Sequence, residues 1–338
     1  MTSYFKMDIN HIDNDIITKC SELLKRGKLV AFPTETVYGL GANGLDEKAI
    51  AGIFKAKGRP MDNPLILHVN SMDMVKKFTE EIPSVAYDLA KIFWPGPLTM
   101  IFRKNDLVPY AATANLDTVA IRIPSHKVAL ALITACGFPL AAPSANYSGK
   151  PSPTDSAHVY EDLNGKIDAI IDCGKSNIGI ESTVLDITGD IPVVLRPGGV
   201  SIRQLELLIP NIISEKVTDS SAPKSPGMKY RHYSPEAPLY LVQGENEKVV
   251  SKISTLAGNN TGILCSLENM NRYHTGKRIC LGSIANSEQL ASNLFDSLRI
   301  FDKLQVDTIY SEYFEYGEYK EAIMNRLKKA SSGTISVT

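Results

Sequence analysis

The spacing of apolar and polar positions predicts helices and strands that follow one another along most of the chain. Residues 16–25 carry apolar side chains at helical spacing and are followed by Gly27, a common residue at helix C-termini. Short apolar runs predict strands at 29–32, 65–69, 98–102, 119–123, 169–172, 184–187 and 193–195. Further helices are predicted at 46–55, 85–93, 127–135 and 202–208. Because some strands follow one another directly, the pattern indicates an α/β sheet that is partly antiparallel.

A segment rich in serine and proline, at 218–238, interrupts this pattern and is typical of a linker. A second β/α pattern follows, with strands near 239–242, 262–265 and 308–310 and helices near 247–256, 287–301 and 319–329. About one hundred residues are enough for a small Rossmann-like α/β domain. The predicted organisation is therefore a first domain at 10–212, a linker at 213–237 and a C-terminal domain at 238–338.

Composition narrows the class of protein. The length of 338 residues exceeds that of a usual single domain, which agrees with two domains. Charged residues make up 22% and the net charge is −1, which argues against a protein that coats nucleic acid. The five cysteines form no CxxC pair, and we find neither a signal-peptide core nor an apolar stretch of membrane-spanning length. We therefore expect a cytoplasmic protein with reduced thiols and no membrane contact.

The segment PTETVYGLG at 33–41 is the first candidate site. It follows an apolar run and places two hydroxyls, a carboxylate and a phenol within a few residues, as at a strand end that faces a ligand crevice. Residues 39–44 also fit GxGxxG, but they lie too far from the preceding strand for a dinucleotide site, and no acidic strand end follows. The absence of Walker A, HExxH and GxSxG motifs argues against P-loop kinases, zinc hydrolases and α/β-hydrolases.

Three titratable residues in the next segment are candidates for anion binding. Lys57 and Arg59 flank Gly58 at the end of the second predicted helix. Cations at this position can compensate the helix dipole, but Arg59, held between Gly58 and Pro60, can also grip a phosphate with two parallel hydrogen bonds. His68 ends an apolar strand, where it is either a hydrogen-bonded core residue or a group that binds a ligand.

Arg122 lies within the apolar run at 119–123. Because burying an unpaired guanidinium is costly, Arg122 needs an anionic partner. That partner is either a protein carboxylate such as Asp117 or the carboxylate of a bound ligand.

Six further segments are informative through their order and spacing. They are KGRP at 57–60, NPLILH at 63–68, AIRIP at 120–124, APSAN at 142–146, ESTV at 181–184 and RPG at 196–198. With the loop at 33–41, they resemble the threonylcarbamoyl-AMP synthase family, which is built on the YrdC-like domain. The resemblance covers roughly 10–210, and the rest resembles the extra domain of the family's long form. It implies a YrdC-like twisted mixed sheet with flanking helices, plus a small Rossmann-like α/β C-terminal domain.

The resemblance implies a nucleotidyltransferase that makes L-threonylcarbamoyl-AMP and pyrophosphate from L-threonine, bicarbonate or CO2, and ATP, for the threonylcarbamoyladenosine modification of tRNA. It implies catalytic roles for Lys57 and Arg59. The residues implied to bind L-threonine are Thr36, His68, Arg122 and Ser182. Those implied to bind ATP are Arg59, Asn63, Thr118, Ala142, Ser144, Asn146, Ser152, Arg196 and Tyr233. In the long form the linker runs back over the active site, so 213–237 is a candidate lid that carries Arg231 and Tyr233.

The implied reaction also sets expectations for cofactors and partners. Mg2+ is expected with ATP, but we assign no protein ligand to it, and Glu35 is only the nearest carboxylate. The product would pass to a separate tRNA threonylcarbamoyltransferase, so the chain need not bind tRNA stably.

Three other functions fit parts of the sequence. One is a YrdC-like module that binds RNA without adenylation, although cations dispersed one per motif suit a small anion better. The second is a carbamoyl-adenylating relative of the hydrogenase-maturation carbamoyltransferases, whose cysteine-rich zinc modules this sequence lacks. The third is a paralogue that keeps the fold but uses another amine.

Overall fold

The computed structural model describes residues 1–210, 212–214 and 232–337. The chain divides into two compact units. The first consists of Met1–Ser148, Ser152–Asn177 and Glu181–Tyr230, and the second of Gly149–Pro151, Ile178–Ile180 and Arg231–Thr338. Most of the predicted linker at 213–237, including Arg231, lies outside the described residues.

The described part of the first unit is built on one mixed sheet of eleven strands. In chain order they are β1 (Ser3–Lys6), β2 (Val30–Phe32), β3 (Gly39–Asn43), β4 (Ile66–His68), β5 (Leu98–Arg103), β6 (Thr118–Arg122), β7 (Leu140–Ala141), β8 (Ala169–Asp172), β9 (Thr183–Asp186), β10 (Val193–Arg196) and β11 (Ile213–Ser214). Their order across the sheet is β1-β8-β2-β3-β7-β4-β6-β5-β9-β10-β11. β4 and β6 run parallel, whereas β5 and β6 run antiparallel. The predicted mixed sheet is therefore confirmed.

Helices flank this sheet on both faces. They are α1 (Asn14–Lys25), α2 (Glu47–Lys57), α3 (Met72–Phe78), α4 (Ser84–Phe93), α5 (Tyr110–Thr113), α6 (Lys127–Cys136), α7 (Ser156–Leu163) and α8 (Ile202–Glu206). α2 and α4 contribute to a core cluster with Leu67 and Ile121. α1 and α6 pack with Val30 and Leu140 in a second cluster. Because side chains alternate along a strand, the two clusters lie on opposite faces of the sheet.

The glycine-rich segment GLGAN is strand β3, which pairs antiparallel with β2. A side chain at Gly41 would place its Cβ 2.8 Å from the ring of Phe32, so the close approach of the two strands requires glycine there. The GxGxxG match therefore belongs to a strand that was not predicted, which agrees with the rejection of a dinucleotide site.

The second unit is a smaller parallel α/β structure. Its strands are β12 (Leu239–Gly244), β13 (Thr261–Ser266), β14 (Lys277–Gly282), β15 (Thr308–Glu312) and β16 (Gly333–Val337). Its α-helices are α9 (Asn246–Leu256), α10 (Ser287–Leu304) and α11 (Lys320–Ala330). The strand order in the described residues is β14-β13-β15-β12-β16, and each pair is parallel. This arrangement is the predicted small Rossmann-like fold.

The described residues contain no helix that is both long and apolar enough to cross a membrane. All five cysteines are free thiols. Burial raises the pKa of four of them, Cys20, Cys136, Cys173 and Cys265, to about 12, so these thiols stay protonated near neutral pH.

Candidate functional site

Two of the predicted site residues, His68 and Arg122, share one face of the first sheet with the apolar Ile66 and Ala120. In the strand register His68 of β4 pairs with Arg122 of β6, and Ile66 pairs with Ala120. Alternation along the strands places all four side chains on the same face. Ile66 and Ala120 belong to a small buried apolar cluster, with Ile101, Val184 and Leu195. The site therefore has an apolar floor with polar groups at the ends of its strands.

The loop at 34–38 binds Arg122. Arg122 Nη1 donates to Thr36 Oγ1 at 2.9 Å, Nε donates to the carbonyl of Gly96 at 3.1 Å, and Nη2 lies 2.8 Å from Glu35 Oε1. The protein carboxylate that pairs with Arg122 is therefore Glu35, and the prediction of Asp117 was wrong. The exposed Asp117 carboxylate instead accepts from the Tyr110 hydroxyl.

Glu35 is a buried carboxylate that stays charged. Burial alone would raise its pKa, but the charge of Arg122 and hydrogen bonds from the backbone N–H groups of Ser125 and Glu35 hold the pKa below its usual value. The negative charge of Glu35 thus balances the positive charge of Arg122 within the protein. Nη1 and Nη2 each have a second N–H, so the guanidinium can still donate to a ligand.

Hydrogen bonds inside the loop at 34–38 hold its shape. Thr34 Oγ1 donates to the carbonyl of Val37 and accepts from the backbone N–H groups of Thr36 and Val37. The Tyr38 hydroxyl donates to the carbonyl of Gly174 at 2.7 Å. Tyr38 therefore anchors the loop rather than facing a ligand, and Thr36 is the loop side chain that reaches Arg122.

His68 is an uncharged residue at this site. Burial lowers its pKa to about 3, and the positive charge of Arg122 acts in the same direction. The ring meets that of Phe32 edge to face, with centroids 6.1 Å apart. A neutral imidazole donates through one nitrogen and accepts through the other, so His68 can hydrogen-bond a ligand near neutral pH without bringing charge.

Ser182 and Arg196 contact each other. Arg196 Nη2 donates to the carbonyl of Ser182 at 2.9 Å and to its hydroxyl at 3.2 Å. The same hydroxyl lies 2.8 Å from that of Thr99 in β5. A Cβ on Gly198 would lie 2.3 Å from the carbonyl oxygen of Glu181, so only glycine lets the RPG turn approach this strand. Arg196 therefore holds Ser182 in place.

Lys57 lies at the C-terminus of α2 and reaches across to the APSAN loop. Its Nζ donates to the carbonyls of Ser144 at 2.5 Å and Asn146 at 2.7 Å. The helix ends at Gly58, whose φ of +61° is left-handed and whose space is limited by the ring of Tyr147. Two of the sequence motifs, KGRP and APSAN, therefore form one assembly.

Asn63 has a fully buried side chain, and neither Nδ2 nor Oδ1 has a hydrogen-bond partner among the described residues. A buried amide without partners costs about 1–3 kcal/mol, which points to a ligand. Arg59 Nη2 donates to the carbonyls of Asn63 and Pro64, at 3.3 and 3.1 Å. Arg59 and Asn63 thus lie side by side.

The remaining predicted ATP contacts of this unit are Thr118 in β6, Ala142 directly after β7, and Ser152 in a loop. Thr118 begins β6 and Arg122 ends it, so the two are about 13 Å apart along the strand at a rise of ~3.3 Å per residue. The Ala142 N–H donates to the carbonyl of Ile66, which places the APSAN loop at the start of β4. Ser152 Oγ donates to Glu181 Oε1 at 2.6 Å. The sheet therefore has an Arg122 end and a Thr118 end.

Comparison with known proteins identifies this arrangement. A family model described as "Telomere recombination", for the Sua5, YciO and YrdC proteins, matches residues 22–198. A model of the threonylcarbamoyl-AMP synthase C-terminal domain matches 200–332. The Pyrococcus abyssi threonylcarbamoyl-AMP synthase is 49% identical over 91% of this chain and 92% of its own length. That of Bacillus subtilis is 46% identical over 94% of each.

The chain belongs to the threonylcarbamoyl-AMP synthase family. A crystal structure of P. abyssi Sua5 with L-threonine matches it with a TM-score of 0.92 and 45% identity, and covers both chains completely. The resemblance seen in the motifs, the enzyme class and the YrdC-like fold with its C-terminal domain are thereby confirmed. The alternative of an RNA-binding module without adenylation activity is not supported. The relatives named threonylcarbamoyl-AMP synthase match this chain over nearly their whole length.

Three residues that contact the motif residues of this synthase were not predicted from the sequence. Glu35 was considered only for Mg2+, yet it forms the ion pair with Arg122. Thr99 touches Ser182, and Glu181 accepts from Ser152. Thr99 lies in an apolar run without any motif, so the sequence carried no signal for it. Glu35 lies in the PTETVYGLG segment and Glu181 in ESTV. Their contacts could not be predicted, because the sequence does not show that both carboxylates are buried beside polar residues.

Tyr233 lies in the second unit of the synthase. Its side chain is buried, its φ is +65°, and its ring centroid is 5.1 Å from that of Phe295. The guanidinium of Arg326 lies over the same ring at 5.9 Å. Its predicted contact with ATP stays a prediction, and Arg231 lies outside the described residues.

Proposed function

We propose that the chain joins L-threonine, bicarbonate or CO2, and ATP into L-threonylcarbamoyl-AMP and pyrophosphate, for the threonylcarbamoyladenosine modification of tRNA. The observation that carries the assignment of residues is the pairing of His68 with Arg122 beneath the loop at 34–38. It provides a charged donor and a neutral donor on one apolar floor. These are the groups that an amino acid and its carbamate require.

The Arg122 end would bind L-threonine. The free N–H groups of Arg122 donate to the carboxylate of the amino acid, while Glu35 keeps the guanidinium oriented. Thr36 and Ser182 offer hydroxyls that are themselves held by Arg122 and Arg196. Because these hydrogen bonds exist before the ligand binds, the side chains lose little conformational entropy on binding.

The Thr118 end would bind ATP. Asn63 contributes an amide without other partners, and Arg59 beside it contributes a planar cation suited to phosphate. Lys57 sits on the carbonyls of the APSAN loop, so it would position Ser144 and Asn146 as well as supply charge. The nucleotide would then extend along the sheet toward the amino acid.

The chemistry needs positioning and charge neutralisation more than a general base. The amine of threonine adds to CO2 and loses one proton, which gives the carbamate. A carbamate oxygen then attacks the α-phosphorus of ATP while the bond to the bridging oxygen of pyrophosphate breaks. Both reactants are anions, so fixed cations and in-line placement supply most of the acceleration.

The expected Mg2+ would arrive with the triphosphate. No group of three or more His, Cys, Asp or Glu in the described residues could hold a metal, and Glu35 is paired with Arg122. Mg2+ commonly keeps several waters and binds substrate phosphates, which neutralise part of the charge. Substrate phosphates and water would therefore supply most of its ligands, and we assign no protein ligand to it.

The product would pass to a tRNA threonylcarbamoyltransferase, because a mixed carbamic–phosphoric anhydride is a reactive acyl donor. The chain itself need not hold tRNA stably. A role in tRNA modification and the five free thiols support a cytoplasmic location. The linker at 213–237 remains our proposal for a lid over the site.

Pyrophosphate release from ATP tests this function. We expect release only when bicarbonate and L-threonine are both present, and much slower release with L-serine. Arg59→Ala should abolish it, whereas the exposed Arg26→Ala should leave it unchanged. Release without threonine, or full activity in Arg59→Ala, would contradict the proposal.

A further inference from the structure

The second unit contains a cavity of its own, of about 190 Å3, at the carboxyl edge of its parallel sheet. The last residues of three strands line it: Gly244 of β12, Ser266 of β13 and Glu312 of β15. β13 and β15 are neighbours in the sheet. The chain leaves β13 toward β14 at one edge of the sheet, and it leaves β15 toward β16 at the opposite edge. Ligands of open α/β sheets bind at such points, where connections leave neighbouring strands in opposite directions.

Ser266 carries the main evidence for a ligand. Its side chain is 1% exposed, and its hydroxyl has no hydrogen-bond partner among the described residues. The backbone N–H of Ser266 donates to Glu312 Oε2 at 3.0 Å, which holds the residue at the edge of the cavity. A buried hydroxyl without a partner is unfavourable, so a group that hydrogen-bonds it would relieve that cost.

The lining of the cavity is acidic and aromatic. Glu312 and Glu268 supply carboxylates, and Tyr313 and Tyr316 supply rings. Glu312 already accepts from the Tyr273 hydroxyl at 2.8 Å, and Glu268 accepts from Ser283 Oγ at 2.6 Å. An ionised carboxylate has about four acceptor positions, so both retain capacity for another donor. No Lys, Arg or His is among the described residues that line the cavity.

This chemistry disfavours anions. Helix α9 begins at the same edge and its N-terminus would attract a negative group, but Glu247 already occupies its first turn. A phosphate would meet two glutamates and no cation among the described lining residues, because Arg272 and Lys328 contact Asn269 and Tyr313 without lining the cavity themselves. A metal ion is also disfavoured, because the described residues hold no cluster of three or more His, Cys, Asp or Glu.

We propose that this cavity binds a small primary amine without a carboxylate, such as ethanolamine or a short diamine. The ammonium group donates to Ser266 Oγ and to the carboxylates of Glu312 and Glu268. The ring of Tyr316 adds cation–π attraction, whereas the ring of Tyr313 already faces Lys328 Nζ at 5.3 Å. A volume of about 190 Å3 fits only a few heavy atoms, well below the ~300 Å3 typical of drug-sized sites. All lining residues belong to the second unit, and amine binding there does not depend on the proposed synthase function.

Calorimetric titration of the full chain with ethanolamine hydrochloride tests the proposal, with L-threonine present throughout so that amine binding to the first unit is suppressed. We expect saturable binding of ethanolamine, none of uncharged ethylene glycol and none of zwitterionic glycine. Absence of saturable heat with both ethanolamine and putrescine would overturn the proposal. Equal affinity for ethylene glycol would do the same, because the ligand would then not be a cation.

Ser266→Ala gives the sharpest variant, because it removes a hydroxyl that stabilises nothing in the described protein. We expect unchanged or slightly higher thermal stability and unchanged pyrophosphate release, with amine affinity lowered about tenfold or more. Ser297→Ala is the control, since Ser297 is a buried serine of α10 that does not line the cavity. Equal amine affinity in Ser266→Ala and the unmodified protein would overturn the assignment.

Discussion

Glu35 Oε1 lies 2.8 Å from Arg122 Nη2, and the two side chains are only 9% and 4% exposed. The pair joins the loop after β2 to the end of β6, so it fixes the loop at 34–38 against the Arg122 end of the sheet. A buried ion pair adds little net stability over an apolar pair, but removing one partner leaves the other charge stranded. The pair is therefore better explained by what Arg122 must do for a ligand.

Glu35→Gln should strand the Arg122 charge while keeping the side-chain shape. We expect the free energy of unfolding to fall by about 3 kcal/mol, and the KM for L-threonine to rise more than that for ATP. Urea unfolding and pyrophosphate-release kinetics measure the two effects. Asp117→Asn is the control, because its exposed carboxylate does not contact Arg122, and it should stay within about 0.5 kcal/mol of the unmodified protein. Equal losses in both variants would contradict the assigned role.

His68 should make stability depend on pH. Its pKa is about 3 when folded and 6.5 when unfolded, so the unfolded chain binds more protons between these values. The free energy of unfolding therefore falls as the pH drops below 6.5, by up to ~1.4 kcal/mol per pH unit. Glu35, with its pKa below 4.5, contributes stability that is present above 4.5 and lost as the pH falls through its folded pKa.

Between pH 6.5 and 4.5, His68→Gln should therefore show a shallower loss of stability than the unmodified protein, measured by urea unfolding at a series of pH values. His126 also has a pKa lowered by burial, so His126→Gln separates the two contributions. Identical pH dependence in His68→Gln and the unmodified protein would show that the ring is not held neutral.

The sequence predicted the central strands well because each is a buried apolar run between turn residues. Strand β3 was missed, since the glycines of GLGAN have no strand preference of their own. Its pairing with β2 and the ring of Phe32 decide its conformation. The strands β14 and β16 at the two edges of the second sheet were missed as well, and β14 carries the polar Lys277 and Arg278. The pattern of apolar residues predicts edge strands less well than central strands, because an edge strand has a neighbouring strand on one side only.

Motif order was enough to predict the family, but not which of the candidate site residues touch each other. The partner of Arg122 is far away in sequence, and the nearby Asp117 was the natural guess. Lys57 looked like a helix-end cation, and only the structure shows its ammonium on the carbonyls of another motif. Such contacts depend on register and loop path, which no local pattern encodes.

Gly198→Ala should disturb the amino-acid end of the site. The new Cβ would lie 2.3 Å from the Glu181 carbonyl oxygen and 2.4 Å from the Ser182 carbonyl carbon, so the turn must move away. We expect a loss of about 1–3 kcal/mol in the free energy of unfolding and a higher KM for L-threonine. Gly189→Ala, with no atom within 4 Å of its Cβ, is the matched control and should change neither. A harmless Gly198→Ala would show that this turn does not hold Ser182.

Asn63→Leu should separate binding from folding. Leucine has a similar size, and it removes amide atoms that have no partner among the described residues, so the free energy of unfolding should stay within about 1 kcal/mol or rise. ATP loses a donor and an acceptor, and its affinity in calorimetric titrations should fall about tenfold or more. The affinity for L-threonine, measured in the same way, serves as the control and should not change, because Asn63 lies at the far end of the sheet from Arg122. Intact ATP affinity in a stable variant would assign the buried amide to the fold and would move the nucleotide contact to Arg59 and the APSAN loop.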